Sequence, residues 1–282
     1  MALKQFFVKI IPKYFLNVLK NLKDYYELSL CTTLRFNTNN LITPHQLSIN
    51  KVFKSEIIKN QWEEYKSIVK NFQTQMPSGG VNQGDRRALF YLISNFKASR
   101  VLEIGTHIGS STLAITASLD INKKLLDHKP YLTTVDFMDV NSELDRPWER
   151  FGSNISPLNL MKKVKHDTLV EFIHKDSIEY MQTTDNKFDF IFLDGDHSAN
   201  AVYKEVSLAL NLLNENGIIL LHDYFPDKEP LWSNGKVIPG PFWAIERIKK
   251  EGVKIDVMPL GKLPWKTKLD SNITSLCILH QI

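Results

Sequence analysis

Two short polar stretches contain the residue types that carry out metal and acid–base chemistry. "LDGDHS" places Asp194, Asp196 and His197 directly after an apolar run, and "LLHDY" places His222 and Asp223 after the next one. Carboxylate oxygens are preferred ligands of hard divalent cations, and an imidazole exchanges a proton near neutral pH. The two stretches therefore predict a cation site, a proton-transfer site or both, provided that the fold brings them together.

Structural roles compete for the same residues. A helix is predicted to begin near Ala199, and Ser198 stands where an N-terminal cap is expected. The role of Asp196 stays open: it could cap the helix, hydrogen-bond a metal ligand or bind the metal itself. A histidine at the end of a strand is often structural. The neighbouring elements must therefore decide between these roles.

The pattern from Ser99 onward predicts an α/β sheet. Apolar runs alternate with helical segments, and the runs are "RVLEIG", "YLTTVD", "LVEFIHKDS", "FDFIFLDGD" and "GIILLHDY". This alternation predicts right-handed βαβ units and a parallel sheet covered by helices on both faces. The tail segments "VKIDVMPLG" and "NITSLCILHQI" predict an antiparallel pair at the sheet edge.

The predicted sheet brings the two polar stretches together. Sequential strands commonly pair, so the ends of "FDFIFLDGD" and "GIILLHDY" are expected to be neighbours. Asp194, His222 and Asp223 would then form a hard-cation site for Mg²⁺, with Mn²⁺ as the alternative.

A second candidate site follows the first predicted strand. "VLEIGTHIGSSTL" spaces Glu103, Gly105 and Gly109 as E-x-G-x-x-x-G at a strand-to-helix junction, which differs from the dinucleotide fingerprint. Gly105 would allow a tight turn, and Gly109 would let a ligand approach a helix N-terminus. Asp136 ends the next strand, at a position that suits ribose hydroxyls, and Asp176 ends the third, near the height of an adenine amine. These strand ends predict one ligand crevice.

Taken in order, these five motifs resemble class I S-adenosylmethionine-dependent methyltransferases. They are most similar to the small-molecule O-methyltransferase group, which includes catechol-type and macrolide-sugar-type enzymes, and the resemblance covers roughly residues 80–282. It implies a Rossmann-like, doubly wound sheet of seven strands, mostly parallel, with an antiparallel last strand. The expected organisation is a helical N-terminal extension over residues 1–76 and a methyltransferase domain over residues 77–282.

The resemblance also assigns expected roles. The cofactor S-adenosylmethionine would be held by Glu103, Gly105, Gly109 and Ser111 at its methionine end, by Asp136 at the ribose, and by Asp176 and Ser177 at the adenine. "GGVNQGD" resembles a loop that closes over the cofactor, which adds Val81 and Asn82. Metal-dependent members carry an Asp at the position of Asp194 and acids or amides around the position of Asp223. They also carry a base, lysine or histidine, three residues after the first Asp, here His197. Several relatives have an acid where this chain has His222, and a nitrogen ligand would loosen the preference for Mg²⁺.

Composition narrows the partners and the location. The chain has 282 residues, 43% hydrophobic and 23% charged, with a net charge of +4, which is typical of a soluble globular protein and does not call for nucleic acid. Two cysteines far apart in sequence predict free thiols and a cytoplasmic location. There is no apolar run of about 18 residues, so no transmembrane segment is expected. The basic segment "MALKQFFVKIIPKYFLNVLKNLK" predicts a helix docked on this body or on a second subunit of a homo-oligomer, with peripheral membrane contact through residues 1–23 as the alternative.

The expected activity is methylation of a hydroxyl on a small molecule or sugar moiety, with His197 as the general base. Trp232 and Trp148 are candidates for the substrate wall. Two other classes stay open at this stage. One is a nucleotide-binding oxidoreductase on a similar sheet, and the other is a catalytically silent methyltransferase-like interaction protein.

Overall fold

The central element of the fold is a seven-stranded sheet. The computed structural model describes residues 13–69 and 80–282. The strands are β1 Arg100–Ile104, β2 Tyr131–Asp136, β3 Val170–His174, β4 Phe188–Leu193, β5 Leu213–Leu221, β6 Ile255–Pro259 and β7 Cys277–Gln281. Their order is β3-β2-β1-β4-β5-β7-β6, and β7 runs antiparallel to both of its neighbours. The expected fold class, with its antiparallel last strand, is confirmed.

Helices cover both faces of this sheet. They are α1 Lys13–Ser29, α2 Ile49–Phe53, α3 Glu56–Val69, α4 Gln83–Asn95, α5 Ser110–Asn122, α6 Pro147–Arg150, α7 Pro157–Lys163, α8 Ser177–Thr183, α9 Ala199–Leu212 and α10 Gly240–Lys250. In β4, Phe190 and Phe192 belong to the core shared with α3, α4 and α5, whereas Ile191 and Leu193 belong to the core shared with α8, α9 and α10. Successive side chains of a strand point to opposite faces, so a strand buried on both faces must be apolar throughout.

Helix α1 packs against α9 and α10. The Asn21 side-chain oxygen accepts a hydrogen bond from Trp243 Nε1 at 3.0 Å, and Asp24 Oδ1 accepts one from the backbone N–H of Ala199 at 3.1 Å. The described part of the basic N-terminal segment is therefore docked on the body of the protein, whereas its residues 1–12 lie outside the described residues. No helix in the described part of the chain combines the length and the apolar character that crossing a membrane requires.

Two connecting segments between the strands and helices of the sheet contain helical structure. The long segment 137–167 contains α6 and α7, and Trp148 in α6 is only 3% exposed. Of the turn-rich loop Pro77–Asp85, residues 77–79 lie outside the described residues, and α4 already begins at Gln83. The Asn82 side chain accepts hydrogen bonds from the backbone N–H groups of Gly84 and Asp85, so it caps this helix.

Candidate active site

A cavity of about 500 Å³ opens at the carboxyl edge of the parallel strands, where open α/β sheets bind their ligands. Most of the residues singled out from the sequence line it. On the side of β1 to β3 these are Val81, Gly105, Ser111, Asp136, Asp176 and Ser177. On the side of β4 and β5 they are Asp194, His197, His222 and Asp223. The structure therefore brings the two predicted sites together in one cavity.

Gly105 allows the loops after β1 and β4 to touch. Its φ is +95°, and a Cβ atom at this position would collide with the carbonyl oxygen of Asp194. The Gly105 N–H donates to the carbonyl oxygen of Val135 at 2.9 Å, which ties the same turn to β2. Only glycine can adopt this positive φ and also leave room for the Asp194 carbonyl oxygen. The turn thus brings backbone from β1, β2 and β4 to one wall of the cavity.

The backbone holds the Asp136 carboxylate in place. Asp136 Oδ2 accepts a hydrogen bond from the His107 N–H at 2.8 Å, and Oδ1 accepts one from the Met138 N–H at 2.9 Å. Each carboxylate oxygen has a further lone pair, so both can still accept from a ligand. A fixed carboxylate with two open acceptor positions suits a pair of vicinal hydroxyls.

Asp176 and Ser177 lie at the next corner of the cavity. Strand β3 ends at His174, and Asp176 is the N-cap of α8, where its Oδ1 accepts from the Glu179 N–H at 3.0 Å. The prediction that Asp176 ends the strand was therefore off by two residues. Ser177 Oγ donates to Glu205 Oε1 at 2.7 Å. Both residues line the cavity, but each also has a structural hydrogen bond.

Glu103, Gly109 and Asn82 do not line the cavity, and their contact with the cofactor stays a prediction. Glu103 is completely buried behind the turn, and its Oε2 accepts hydrogen bonds from Thr112 and Thr134, both at 2.7 Å. Burial raises the pKa of the Glu103 carboxyl to about 7, although hydroxyl hydrogen bonds oppose this. Gly109 is the left-handed N-cap of α5, and Asn82 caps α4. These residues shape the site from behind.

The side chains after β4 and β5 form a compact polar cluster. His222 Nδ1 lies 2.7 Å from Asp194 Oδ1 and 3.7 Å from Asp223 Oδ1. His197 Nε2 lies 3.6 Å from Asp194 Oδ1 and 3.5 Å from Asp223 Oδ2. Asp194 and Asp223 therefore face the same two imidazoles, as the pairing of β4 with β5 leads one to expect.

The charges in this cluster are strongly coupled. Burial acts to lower the pKa of His222, but the carboxylates of Asp194 and Asp223 outweigh it and raise that pKa well above its usual value. Burial would raise the pKa of Asp223, but the neighbouring cationic side chains hold it below its usual value. Asp223 has a left-handed backbone, with φ +54°, and its Oδ1 accepts from Ser275 Oγ at 3.1 Å. Its carboxylate is therefore held from two directions.

Sequence reasoning missed Asp85, which completes the cluster from another element. This residue of the first turn of α4 is completely buried, and its Oδ2 lies 3.3 Å from His222 Nε2. Asn82 Nδ2 also donates to Asp85 Oδ2, at 2.5 Å. An acidic residue in the first turn of a helix is common, because its negative charge interacts favourably with the helix dipole. The sequence therefore contained no signal that separated Asp85 from a surface acid.

Glu205 and His107 were also missed. Glu205 is 1% exposed in α9, and burial raises the pKa of its carboxyl to about 8. It shares the buried face of α9 with Val202, Val206 and Ala209, so a helical-spacing test could have found it. His107 lines the cavity beside the turn, and burial lowers the pKa of its imidazole. No spacing rule pointed to His107.

The polar cluster fits a divalent cation by its donor set. One ligand atom each from Asp194, His197 and His222 lies within 4.8 Å of the other two. Bonds of about 2.0–2.2 Å place two ligands of one ion up to about 4.4 Å apart, so small side-chain rotations would suffice. A set that combines imidazole nitrogens with carboxylate oxygens favours Mn²⁺ or a similar transition ion over Mg²⁺.

Comparison with known proteins gives one family match and several structural likenesses. Residues 102–224 match the model of a family described as a methyltransferase domain. The O-methyltransferase from Bacillus cereus in complex with S-adenosylhomocysteine is 16% identical, with a TM-score of 0.52, over 81% of this chain and 91% of that chain. The O-methyltransferase TomG from Streptomyces achromogenes, involved in tomaymycin synthesis and in complex with S-adenosylmethionine, is 14% identical, with a TM-score of 0.52, over 94% and 98%. At these identities the likeness concerns the fold. No curated protein sequence matches this chain.

Proposed function

We propose that this chain is an S-adenosylmethionine-dependent O-methyltransferase that methylates a hydroxyl of a small acceptor, with a sugar moiety favoured. The observation that carries this proposal is the single cavity that joins the strand-end crevice to the polar cluster. A crevice without the cluster would serve any nucleotide ligand. The cluster adds the groups needed to activate a hydroxyl beside that ligand.

In this proposal the crevice positions the cofactor by its three chemical parts. The turn at Gly105 and Ser111 would face the methionine end, Asp136 the ribose, and Asp176 with Ser177 the adenine. All five line the cavity. The cofactor supplies an electrophilic methyl group, and a divalent cation would lower the pKa of the acceptor hydroxyl.

His197 is the proposed general base. Its imidazole is 28% exposed and lines the cavity, so an acceptor hydroxyl can reach it. When Nε2 takes the proton of that hydroxyl, the resulting imidazolium faces Asp194 and Asp223, at 3.6 and 3.5 Å. These carboxylates stabilise the charge that proton transfer creates.

His197 Nε2 has one lone pair, so it cannot bind a cation and accept a proton at the same time. We therefore assign the cation to Asp194, Asp223 and His222, and the proton to His197. His222 presents Nδ1 to the carboxylates, while Nε2 faces Asp85. An acceptor with two adjacent hydroxyls, as sugars and catechols have, would suit a cation that holds two oxygens next to a base.

The test measures formation of S-adenosylhomocysteine with a panel of sugars and catechols in the presence of Mn²⁺ or Mg²⁺. Asp194→Asn is expected to lower kcat/KM by at least about 100-fold and to leave S-adenosylmethionine affinity unchanged, because it removes charge from the cluster alone. Exposed Asp185, at the opposite edge of the sheet, supplies the matched control Asp185→Asn. Full activity with a chelator present would remove the cation from the proposal.

A second variant separates the base from the ligands. His197→Ala is expected to lower kcat by about 10²–10⁴-fold and to leave Mn²⁺ affinity within about threefold. A large loss of Mn²⁺ affinity would instead make His197 a ligand. Calorimetry tests the nucleotide class: tight binding of NAD without binding of S-adenosylmethionine would overturn the whole proposal.

A further inference from the structure

A second cavity of about 510 Å³ adjoins the polar cluster. Asp223 lines both cavities. The second cavity lies between α1, the connection from β5 to α10, and the connection from β6 to β7. Six residues define it here: Asn17, Lys20, Phe225, Trp232, Lys236 and Lys268. Anything bound in this cavity therefore lies next to a proposed cation ligand.

The inner wall of this cavity is apolar and aromatic. Phe225, Trp232 and Val237 are 2%, 6% and 4% exposed and form a small core of their own. The Phe225 and Trp232 rings meet edge to face, with centroids 5.7 Å apart. Trp232 Nε1 is buried and has no hydrogen-bond acceptor among the described residues. Buried donors normally have a partner, so this wall offers both apolar surface and one unused donor.

The rim of the cavity carries three lysines from three separate segments. Lys20 lies on α1, Lys236 follows the turn after Trp232, and Lys268 lies between β6 and β7. Within the described part of the chain, none of the three forms an ion pair with an acid, whereas Lys23 on the same helix pairs with Glu27. Lys268 Nζ lies 3.6 Å from the centroid of the Trp232 ring.

The charge in this cavity is therefore one-sided. Among its lining residues, Asp223 is the carboxylate that faces the three lysines, and its own neighbours already include His197 and His222. Convergent charges of one sign in a cleft attract ligands of the opposite sign. Lysines at such a rim that form no direct ion pair within the described part of the chain favour an anionic ligand.

Hydrogen bonds fix the position of the rim, because they join α1 to the facing loop. Asn17 Nδ2 donates to the carbonyl oxygen of Gly235 at 3.1 Å, next to Lys236. Asn21 and Asp24, further along the same helix face, bind Trp243 and Ala199. Lys20 is therefore carried on a helix that is anchored on both sides of it.

We propose that this second cavity is the acceptor site and that it selects an acceptor whose hydroxylated ring carries a phosphate or carboxylate group. The hydroxyl to be methylated would lie toward Asp223, the ring against Phe225 and Trp232, and the anionic group among Lys20, Lys236 and Lys268. This inference rests on the proposed function, because it places the acceptor beside the cluster to which that function assigns the chemistry.

Binding of matched neutral and anionic compounds to the full chain tests this selection. The pairs are glucose with glucose 6-phosphate and with glucuronate, and catechol with 3,4-dihydroxybenzoate, measured by calorimetry and by tryptophan fluorescence. We expect at least one anionic member to bind at least about tenfold more tightly than its neutral partner, and the difference to shrink as ionic strength rises. The two sugar anions distinguish phosphate from carboxylate recognition, and the catechol pair tests the ring.

Removal of positive charge at the rim is the second test of this selection. The double variant Lys20→Gln with Lys236→Gln is expected to lose at least about fivefold in affinity for the anionic compound and nothing for the neutral one. Exposed Lys124, after α5, supplies the control Lys124→Gln, which should change neither. Equal binding of neutral and anionic compounds, no binding of any anionic compound, or an unchanged double variant would each overturn the inference.

S-adenosylmethionine binding, measured separately, keeps the two proposals apart. If the cofactor does not bind but the lysine-dependent preference for anions is present, the proposed function fails and the anionic cavity stands. If methyl transfer proceeds on neutral acceptors alone and the double variant is unaffected, the proposed function stands and the anionic selection fails.

Discussion

The two halves of the main cavity are built in different ways. The crevice after β1, β2 and β3 is formed by turns, and its Asp136 is held by the backbone N–H groups of His107 and Met138. The polar cluster after β4 and β5 is formed by side chains from distant segments, since Asp85 and Ser275 contact His222 and Asp223. The crevice is therefore held mainly by backbone groups at the strand ends, whereas the cluster is held by side chains from distant segments.

Substitutions in the crevice and in the cluster should therefore have different effects. A change in the crevice should act through backbone geometry, and so on stability and cofactor affinity together. A change in the cluster should act through charge, and so on cation affinity or rate, with little change in cofactor affinity. Four variants test this separation.

Gly105→Ala is expected to have the largest effect and to break the crevice. Its Cβ would collide with the Asp194 carbonyl oxygen at a positive φ, which should cost about 3 kcal/mol of unfolding free energy and most of the S-adenosylmethionine affinity. Urea unfolding and calorimetry measure these. Gly252→Ala is the control, because Gly252 has φ +82° with nothing within 4 Å of its Cβ position. Equal losses in both variants would mean that backbone strain alone, without the collision, explains the result.

Glu205→Gln tests a buried acid under the crevice. In the folded protein this carboxyl keeps its proton up to a pH of about 8, against 4.5 for an ordinary glutamate, so stability should fall as pH rises from about 4.5 to 8. Glutamine removes this loss, and the variant should gain a few kcal/mol, roughly, at pH 8.5 and little at pH 4.5.

Urea midpoints at pH 4.5, 6.5 and 8.5 give the pH profile of this gain. Glutamine can still accept the Ser177 hydroxyl, so cofactor affinity should be unchanged. Exposed Glu215 supplies the control Glu215→Gln for simple loss of a negative charge. A gain that does not depend on pH would contradict the raised pKa of Glu205.

Asp85→Asn sharpens the description of the cluster. A carboxylate that accepts the second N–H of a metal-binding histidine orients the ring, and its loss typically costs 10–100-fold, roughly, in metal affinity. We expect a loss of that size for Mn²⁺, measured by calorimetry, with S-adenosylmethionine affinity unchanged.

The matched control for that variant is Asp189→Asn. Asp189 accepts hydrogen bonds from Ser99, Arg100 and Asn214 at the far edge of the sheet. Its substitution should lower stability and leave Mn²⁺ affinity unchanged. If Asp85→Asn behaves in the same way as Asp189→Asn, then Asp85 has only a structural role.

Ser198→Ala should have the smallest effect. Ser198 Oγ accepts from the Ala201 N–H at 3.3 Å, as a helix cap does, and Asp196 accepts from the Ser198 N–H and hydroxyl. Loss of this cap should cost about 1 kcal/mol of stability without changing kcat. Ser198→Thr keeps the hydroxyl and should recover most of the stability. A marked loss of activity in Ser198→Ala alone would place this residue in the chemistry.

Sequence patterns predicted most of the fold and residues on both sides of the main cavity. Strand ends after apolar runs located Gly105, Asp136, Asp194 and Asp223, because in a parallel sheet the carboxyl ends of all strands meet at one edge. What the strand-end pattern could not show is the environment of Glu103, whose buried carboxylate accepts hydrogen bonds from Thr112 and Thr134.

Other features depended on contacts that no local pattern contains. The sequence by itself determined the alternation of strands and helices, the glycine turn and the acids at the strand ends, because these are properties of short segments. Only the tertiary structure decided that Asp85 from α4 would lie against His222, and that Lys20, Lys236 and Lys268 would share one rim. Such contacts join segments far apart along the chain, and they form only when burial of the common core brings those segments together.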